Sequence, residues 1–424
     1  MPTCPICTAA FQIDPSDLDF YSKIQVPSPT LCPSCRAFRR LSFRNEKSLY
    51  KRTCDLCSKN LISIYPPDSK YKVYCHACWF GDKWDGLEFG QNFDFNRPFF
   101  EQFSALEKSV PHIFLFQDQS LENCEYTNYG LFNKNCYMAF SCGYCEDIYY
   151  GGTMAKAKSC TDCFKCIGTE LCYECVDCLN CYNLNFCQDC IDSYDSYFLF
   201  DCMNCKNCFC CSGVRSGEYM MFNEKLGKEE YKEKLQKILR ELTPEKITEY
   251  AKQLEEMSLK LPRKHMRGSK NENVTGDYND NCGNLKDCFD CINNEKSAYT
   301  DSSHQSFDLC DCSYNIMCSL CYEVNGGANY NNCKFIYYGR NLQDCEYCQY
   351  CFSGKHLFGC VGLRNKEYCI FNKQYAEKEY FEMRAKIIEY ATKTKEYGEF
   401  FPASSSPFPF DESVASYFFP RISV

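Results

Sequence analysis

Downstream of residue 120, the cysteines of this chain recur on a count of three. Residues 124–211 contain eighteen cysteines, of which only Cys210 departs from the common triplet phase. Residues 282–369 contain thirteen, and only Cys310 lies outside their phase. A phase that persists over so many residues is typical of equivalent units stacked on one another. The pattern predicts a narrow Cys-rich β-solenoid, built twice.

The residues around each cysteine refine this prediction. Where another residue takes the cysteine position it is in most cases small or apolar, as with Thr127, Gly130, Ala139 and Ile148. The position before it is often Asn or Asp, which tolerate a left-handed backbone well. We therefore expect an inward row of limited volume, with a corner just before each inward residue.

Three roles remain open for the cysteines of these rows. Cysteine is small and buries readily, so it can serve as packing. Runs such as Cys172-x2-Cys175-x2-Cys178-x2-Cys181 also resemble ferredoxin spacing and would suit metal or iron–sulfur ligation, although the final x3-Cys-Pro is missing. Coils stacked about 4.8 Å apart would also permit a disulfide ladder or a redox role.

A block of sequence recurs 149 residues further on without a gap. Asp162-Cys163 returns as Asp311-Cys312, and Leu171-Cys172-Tyr173-Glu174 returns as Leu320-Cys321-Tyr322-Glu323. Each copy is followed by a charged segment with helical spacing. The chain therefore contains an internal duplication in which each copy ends in an amphipathic helix. The two copies are named the first array and the second array, at 121–224 and 271–373.

Several helices are expected outside the arrays. Helical spacing covers 228–260, within which Thr243-Pro244 predicts the N-cap and first-turn proline of a second helix. The second copy should carry one helix at about 376–395. Pro98 suits the first turn of a short helix in the connector.

The N-terminal region contains two pairs of CxxC motifs. The eight cysteines are Cys4, Cys7, Cys32 and Cys35 in the first group, and Cys54, Cys57, Cys75 and Cys78 in the second. Four thiolates from two CxxC motifs form the ligand set of a closed structural Zn²⁺ site. The sequence predicts two such sites, with a hairpin of 61–65 and 71–74 inside the second.

A basic segment follows the second CxxC motif. Its candidate nucleic-acid contacts are Arg36, Arg39, Arg40, Arg44, Lys51 and Arg52. A helix beginning at Cys35 would place the first three on one face, interleaved with aromatic residues, in a pattern that suits phosphate contacts on RNA or DNA. The alternative is that these cations neutralise the dianionic zinc centres and an acidic body, because the chain carries a net charge of −9.

Composition and motifs exclude several classes. A chain this acidic is not a general nucleic-acid binder. It opens without a charged and apolar leader and has no apolar run of about 18 residues, so we expect a cytoplasmic protein that does not enter a membrane. The nucleotide-binding, hydrolase-elbow and metalloprotease motifs are missing, and no small-molecule substrate is indicated. The sequence favours a binding protein over an enzyme.

The expected fold is mostly β with helical inserts. It begins with two zinc ribbons and continues into the duplicated solenoid. The eight predicted segments are zinc ribbon 1 at 1–48, zinc ribbon 2 at 49–92, a connector at 93–120, the first array at 121–224, a helical segment and basic linker at 225–270, the second array at 271–373, a helix at 374–396 and an extended tail at 397–424.

Four stretches resemble a known family. They are 31–45 (LCPSCRAFRRLSFRN), 94–103 (DFNRPFFEQF), 271–278 (NENVTGDY) and 364–373 (RNKEYCIFNK). With them, nearly the whole chain is similar to a family of cysteine-rich zinc-ribbon proteins from candidate-phyla bacteria. The resemblance implies zinc ribbons and no particular activity.

Three functional hypotheses follow from the sequence. The first is a zinc-binding structural protein that holds a protein or nucleic-acid partner through its basic ribbon surface and solenoid face. The second is a multi-metal or redox-active thiol protein that uses the cysteine arrays. The third is an RNA- or DNA-binding protein acting through Arg36–Arg52.

Overall fold

The computed structural model describes residues 1–117, 120–304, 311, 313–316, 321–327, 334–340 and 343–420. Contacts divide the chain into two compact units. Unit 1 comprises 1–114 and 265–424, and unit 2 comprises 115–264. Some predicted positions lie outside the described residues, namely Cys310, Cys312, Cys318, Cys333 and the tail residues 421–424.

Eight α-helices occur in the described part of the chain. They are α1 (Pro15–Lys23), α2 (Pro33–Leu41), α3 (His76–Trp79), α4 (Phe99–Ser109), α5 (Lys228–Arg240), α6 (Pro244–Ser258), α7 (Glu377–Lys393) and α8 (Ala415–Phe418). Short 3₁₀ helices span Gly86–Phe89, Ala403–Ser405 and Phe410–Glu412.

The strands are short and belong to several small sheets. They are β1 (Tyr50–Thr53), β2 (Asn60–Ser63), β3 (Val73–Tyr74), β4 (His112–Ile113), β5 (Glu146–Tyr149), β6 (Lys158–Thr161), β7 (Tyr182–Asn185), β8 (Tyr194–Phe200), β9 (Lys206–Ser212), β10 (Glu218–Met221), β11 (Glu224–Lys225), β12 (Gly268–Ser269), β13 (Glu272–Asp277), β14 (Asn279–Asp280), β15 (Gly283–Phe289), β16 (Asp301–His304), β17 (Ser313–Ile316), β18 (Tyr338–Arg340), β19 (Gln349–Phe352), β20 (Lys355–Phe358), β21 (Glu367–Ile370) and β22 (Lys373–Gln374).

Neighbouring segments of unit 2 pair in parallel between residues twelve apart. One row of successive partners consists of Glu122, Lys134, Glu146, Lys158, Glu170, Tyr182, Tyr194, Lys206 and Glu218. Three further rows begin at Glu125, Asn128 and Leu131. The same spacing links Lys355 to Glu367 in unit 1.

A corner in the backbone follows every one of these pairing positions. Every third residue from Asn123 to Phe222 has a left-handed φ, and only Gly168 and Gly213 among them are glycine. A left-handed residue interrupts the extended backbone, so many pairings are single bridges, although strands such as β8 and β9 continue through such corners. The prediction of a mostly β chain is therefore wrong, because this chain combines helices with scattered small sheets.

The cysteine rows form the core of each array. In unit 2, inward cysteines such as Cys160 and Cys175 pack with Ile148, Leu184 and Leu199. In unit 1, residues of the second array form a second core of the same kind, which includes Cys345, Cys348 and Leu357. The predicted inward row of small and apolar residues is confirmed at these positions.

Backbone groups of successive turns satisfy one another. Glu122 N donates to Asn133 O at 2.9 Å, and Asn135 N donates to Glu122 O at 2.9 Å. Some inward amides instead bond to the inward side chain twelve residues earlier. Cys145 N donates to Asn133 Oδ1 at 3.0 Å, and Cys208 N donates to Ser196 Oγ at 3.0 Å. The inward row therefore supplies hydrogen-bond acceptors as well as volume.

Each array ends in a tight antiparallel hairpin. In the first array β10 pairs with β11, and the turn contains left-handed Phe222 and Asn223. The Asn223 side chain accepts from Ser212 N and donates to Ser212 O, both at 2.9 Å. The second array ends in the same way, with β21 paired to β22 and Asn372 bonded to Val361.

The predicted helices are confirmed. Helix α4 begins directly after Pro98, and α7 occupies the segment expected at 376–395. Helix α6 begins at Pro244 with Thr243 as its N-cap, whose hydroxyl accepts from Lys246 N at 3.4 Å. Tyr250 of α6 packs edge-on against Phe209, with ring centroids 4.9 Å apart.

The hairpin predicted for 61–65 and 71–74 is wrong. Strand β2 pairs antiparallel with β1, and β3 pairs in parallel with β4. The reason lies in the CxxC motif between β1 and β2. Cys54 N donates to Lys59 O and Ser58 N donates to Cys54 O, both at 2.9 Å, so this motif is itself the hairpin turn.

Candidate metal centres

The first group of four cysteines combines a tight turn with a helix end. Cys4 and Cys7 lie in a turn in which Thr8 N donates to Cys4 O at 2.9 Å, and Thr8 has a φ of 59°. Cys32 is the N-cap residue of α2, and Cys35 lies in its first turn. The sulfurs of Cys7 and Cys32 are 3.6 Å apart.

The second group has the same construction. Cys54 and Cys57 lie in the turn between β1 and β2, where Ser58 has a φ of 59°. Cys75 is the N-cap residue of α3, and Cys78 lies within that helix. The sulfurs of Cys57 and Cys75 are 3.8 Å apart.

Both groups can hold a metal ion. Within each group the four cysteine sulfurs all lie within 4.8 Å of one another. Four converging sulfurs are the donor set of tetrahedral thiolate sites. The described part of the arrays contains no comparable group of ligands. The structure thus brings together the two ligand sets predicted from the sequence.

The environment of the sulfurs differs within each group. Burial alone raises the pKa of Cys4, but hydrogen bonds from backbone amides outweigh it and lower that pKa to about 6. The same balance lowers the pKa of Cys54 to about 7. Burial and the neighbouring thiols raise the pKa of Cys35 and Cys78. The backbone therefore stabilises Cys4 and Cys54 as thiolates, whereas Cys35 and Cys78 favour the thiol form.

The first three basic candidates are buried against carboxylates of the same chain. Arg36, 1% exposed, forms an ion pair with Asp311 and donates to Leu31 O at 2.9 Å. Arg40, also 1% exposed, lies 3.5 Å from Asp311. Arg39 bonds to Glu323 at 2.6 Å and to Glu399 at 2.8 Å. As folded, none of these guanidinium groups is available to an external phosphate.

The remaining basic candidates are less uniform. Arg44 is buried and pairs with Glu46 at 2.7 Å. Arg52 pairs with Asp55 at 2.9 Å and donates to Pro66 O at 3.0 Å. Lys51 is exposed. A nucleic-acid contact in this folded state would therefore depend chiefly on Lys51.

A buried polar network lies beside the second metal group and carried no sequence signal. His112 is fully buried, and its Nε2 donates to Glu107 O at 3.0 Å while its Nδ1 accepts from Tyr65 at 2.9 Å. Burial lowers the pKa of His112 to about 4, which fits this neutral tautomer. Burial raises the pKa of Glu107 to about 8, although Gln349 donates to its carboxyl group at 2.9 Å.

Comparisons with protein-family models, with curated proteins and with solved structures find no match for this chain. Within the described residues, every helix falls short of the length and apolar character needed to cross a membrane.

Proposed function

We propose that this chain is a zinc-stabilised scaffold that binds other proteins. The carrying observation is the pair of four-cysteine groups, because each offers a complete tetrahedral shell to one Zn²⁺. A shell filled by protein ligands has no open position for catalysis, so the role assigned to zinc is structural. Membership of the cysteine-rich zinc-ribbon family remains part of the proposal.

Both arrays are proposed to be narrow solenoids with coils of twelve residues. The support is the recurrence of parallel partners twelve residues apart in the first array, where every third residue is also a left-handed corner. In the second array the described parallel partners are eleven or twelve residues apart. Four three-residue steps would then complete one coil. The duplication seen in the sequence would make the second array a relative of the first.

The cysteines of the arrays are assigned a structural role. Burial raises the pKa of Cys145 to about 11 and that of Cys136 to about 12, so these two groups remain thiols at neutral pH. Hydrogen bonds with neighbouring thiols instead lower the pKa of Cys160 to about 3 and that of Cys166 to about 5. The Cys145 sulfur also accepts a hydrogen bond from the amide of Ala157 and approaches Gly143 O at 3.4 Å. These contacts use the Cys145 sulfur to satisfy backbone groups inside a buried core, which supports a packing role at this position.

The first array offers the surface on which a partner would bind. Its exposed large side chains include Tyr144, Tyr149, Tyr150, Phe164, Ile167, Leu171, Tyr173, Val176, Tyr182 and Tyr194. Exposed aromatic and aliphatic groups of this density are typical of protein-binding surfaces. The burial of Arg36, Arg39 and Arg40 supports a protein partner over a nucleic acid.

The test is metal and thiol stoichiometry on protein purified without oxygen. We expect about two zinc ions per chain and no visible absorption, with the thirty-one cysteines outside the two groups reacting as thiols after unfolding. The double variant Cys7→Ser/Cys57→Ser should lose zinc, whereas Cys145→Ser should retain it. Iron with sulfide, or many more metal ions per chain, would refute the scaffold and support the multi-metal alternative.

A further inference from the structure

The two arrays carry the same column of outward residues. Each column consists of left-handed corner residues twelve apart, and the two columns correspond at a separation of 149 residues. The column of the second array is Tyr299, Asp311, Glu323, Phe335 and Tyr347, and that of the first array is Tyr150, Asp162, Glu174, Phe186 and Phe198.

In the second array this column binds helix α2. The Arg36 guanidinium lies over the ring of Tyr299, 5.2 Å from its centroid, and forms an ion pair with Asp311. Arg39, one helical turn later, bonds to Glu323 in the next coil at 2.6 Å. The column therefore presents one aromatic ring and two carboxylates to successive arginines of a single helix.

The spacing explains this fit. Residues three apart on a helix rise about 4.5 Å along its axis. Neighbouring parallel segments lie about 4.8 Å apart. Arginines at positions i and i+3 therefore meet acidic residues in consecutive coils with little strain. Bidentate guanidinium groups suit such carboxylates better than lysine does.

The equivalent surface of the first array is open. Tyr150 is 53% exposed, and both Asp162 and Glu174 are exposed. Neither carboxylate forms an ion pair within the described part of the chain, although the Tyr173 hydroxyl donates to Glu174 at 2.9 Å. Further along the column, α6 covers Phe198 through Tyr250, with ring centroids 5.6 Å apart.

We propose that Tyr150, Asp162 and Glu174, here named the acidic column, bind an arginine-bearing helix of another protein. The inference rests on the proposed scaffold function and gives that partner a chemistry: arginines at i and i+3 beside apolar residues, as in α2. The negative charge of the column disfavours nucleic acid. A second copy of this chain is a poor occupant, because its own α2 is buried against its second array.

The test measures binding of a synthetic helix to the full-length, zinc-loaded protein. The probe is a fluorescent peptide of residues 33–44 with Cys35 replaced by Ala, and its binding is followed by fluorescence anisotropy. A control peptide of the same composition has its arginines on different helix faces. We expect the peptide of residues 33–44 to bind and the control peptide to bind much more weakly. Equal binding of both peptides would overturn the proposal.

Paired variants locate the site. Asp162→Asn/Glu174→Gln should weaken binding at least about tenfold, because it removes both charge-assisted contacts. Glu125→Gln/Asp192→Asn changes the array's charge by the same amount outside the acidic column and should leave the affinity unchanged. Equal losses in both variants, or no binding by the wild-type protein, would overturn the inference.

Two further measurements separate the alternatives. Zinc content and unfolding midpoint, measured on every variant, exclude misfolding as the cause of lost binding. Normal zinc and thiol counts without peptide binding would refute the acidic column while leaving the scaffold intact. Self-association of the wild-type chain in sedimentation, abolished by Asp162→Asn/Glu174→Gln, would identify a second copy as the occupant and overturn the choice of partner.

Discussion

At the scale of single residues, the inward cysteines serve the backbone as much as the core. Ser196 shows what such a position needs, because its hydroxyl accepts from Cys208 N at 3.0 Å and donates to Tyr194 O at 2.8 Å. Cysteine can make the same two contacts more weakly and fills a slightly larger volume. Many inward side chains therefore supply a hydrogen-bond acceptor as well as volume, while others such as Ile148 and Leu184 supply volume alone.

Cys145 tests this requirement. Cys145→Ser should change the free energy of unfolding by no more than about 1 kcal/mol, because both hydrogen-bonding roles are kept. Cys145→Val should lower the free energy of unfolding by at least about 2 kcal/mol, since valine leaves the amide of Ala157 without an acceptor and is too large for the inward row. Urea unfolding of both variants measures the difference. Equal costs would show that the sulfur contributes volume alone.

Glu107 gives a pH-dependent prediction. Its pKa rises from 4.5 when unfolded to about 8 when folded, so its stabilising contribution is lost as the pH rises through this range. His112 acts oppositely below pH 6.5, because its pKa falls to about 4 on folding. Of these two groups only Glu107 titrates between pH 6.5 and 8, and its own contribution to the free energy of unfolding should fall by about 2 kcal/mol across this window.

Glu107→Gln is the matched control, since it keeps the shape and cannot ionise. Urea unfolding of both proteins should be followed between pH 6.5 and 8 at constant free zinc. The difference in unfolding free energy between the wild type and Glu107→Gln should change steadily between pH 6.5 and 8. A constant difference would exclude Glu107 as the titrating group.

At the scale of elements, α2 attaches the N-terminal region to the second array through buried ion pairs. Arg39→Ala should destabilise unit 1 by about 3 kcal/mol or more, because it leaves Glu323 buried without its charge partner. Arg97→Ala removes an exposed ion pair with Glu101 and should cost less than about 1 kcal/mol. Similar costs in denaturant unfolding would contradict the buried network.

The proposed twelve-residue coil predicts which insertions the first array accepts. Repeating residues 163–174 in place should preserve the fold, since every inward position keeps its phase. A single alanine inserted before Cys178 should disrupt it, because Asn180, Asn183 and Asp189 would then turn into the core. Limited proteolysis and circular dichroism distinguish the two outcomes. Equal tolerance of both insertions would refute the coil length.

At the scale of the whole molecule, both candidate metal groups belong to unit 1. Removing metal with a chelator should therefore expose amides in 1–92 to hydrogen exchange while protection persists in 121–224. Peptide-resolved exchange by mass spectrometry measures this directly. Simultaneous loss of protection in both regions would mean that metal stabilises the two units together.

Local sequence patterns predicted much of this structure, whereas contacts between residues far apart in the sequence could not be predicted. Triplet phase located the inward rows, Thr243-Pro244 located a helix start, and CxxC spacing located the ligands. The partners of α2 were hidden because Arg36 meets Asp311 and Arg39 meets Glu323 across more than half of the chain. The hairpin predicted within the second ribbon was wrong because left-handed Ser58 lets the CxxC motif form the turn between β1 and β2 instead.

The asparagine hairpins that end each array have a consequence for solubility. A stack of parallel segments leaves unpaired backbone groups at its last edge, and such an edge can recruit further chains into a fibre. Asn223 and Asn372 supply the donor and acceptor that another chain would offer, and the antiparallel strands β11 and β22 then turn back across the edge. Both arrays therefore carry a built-in terminator against amyloid-like growth at this end.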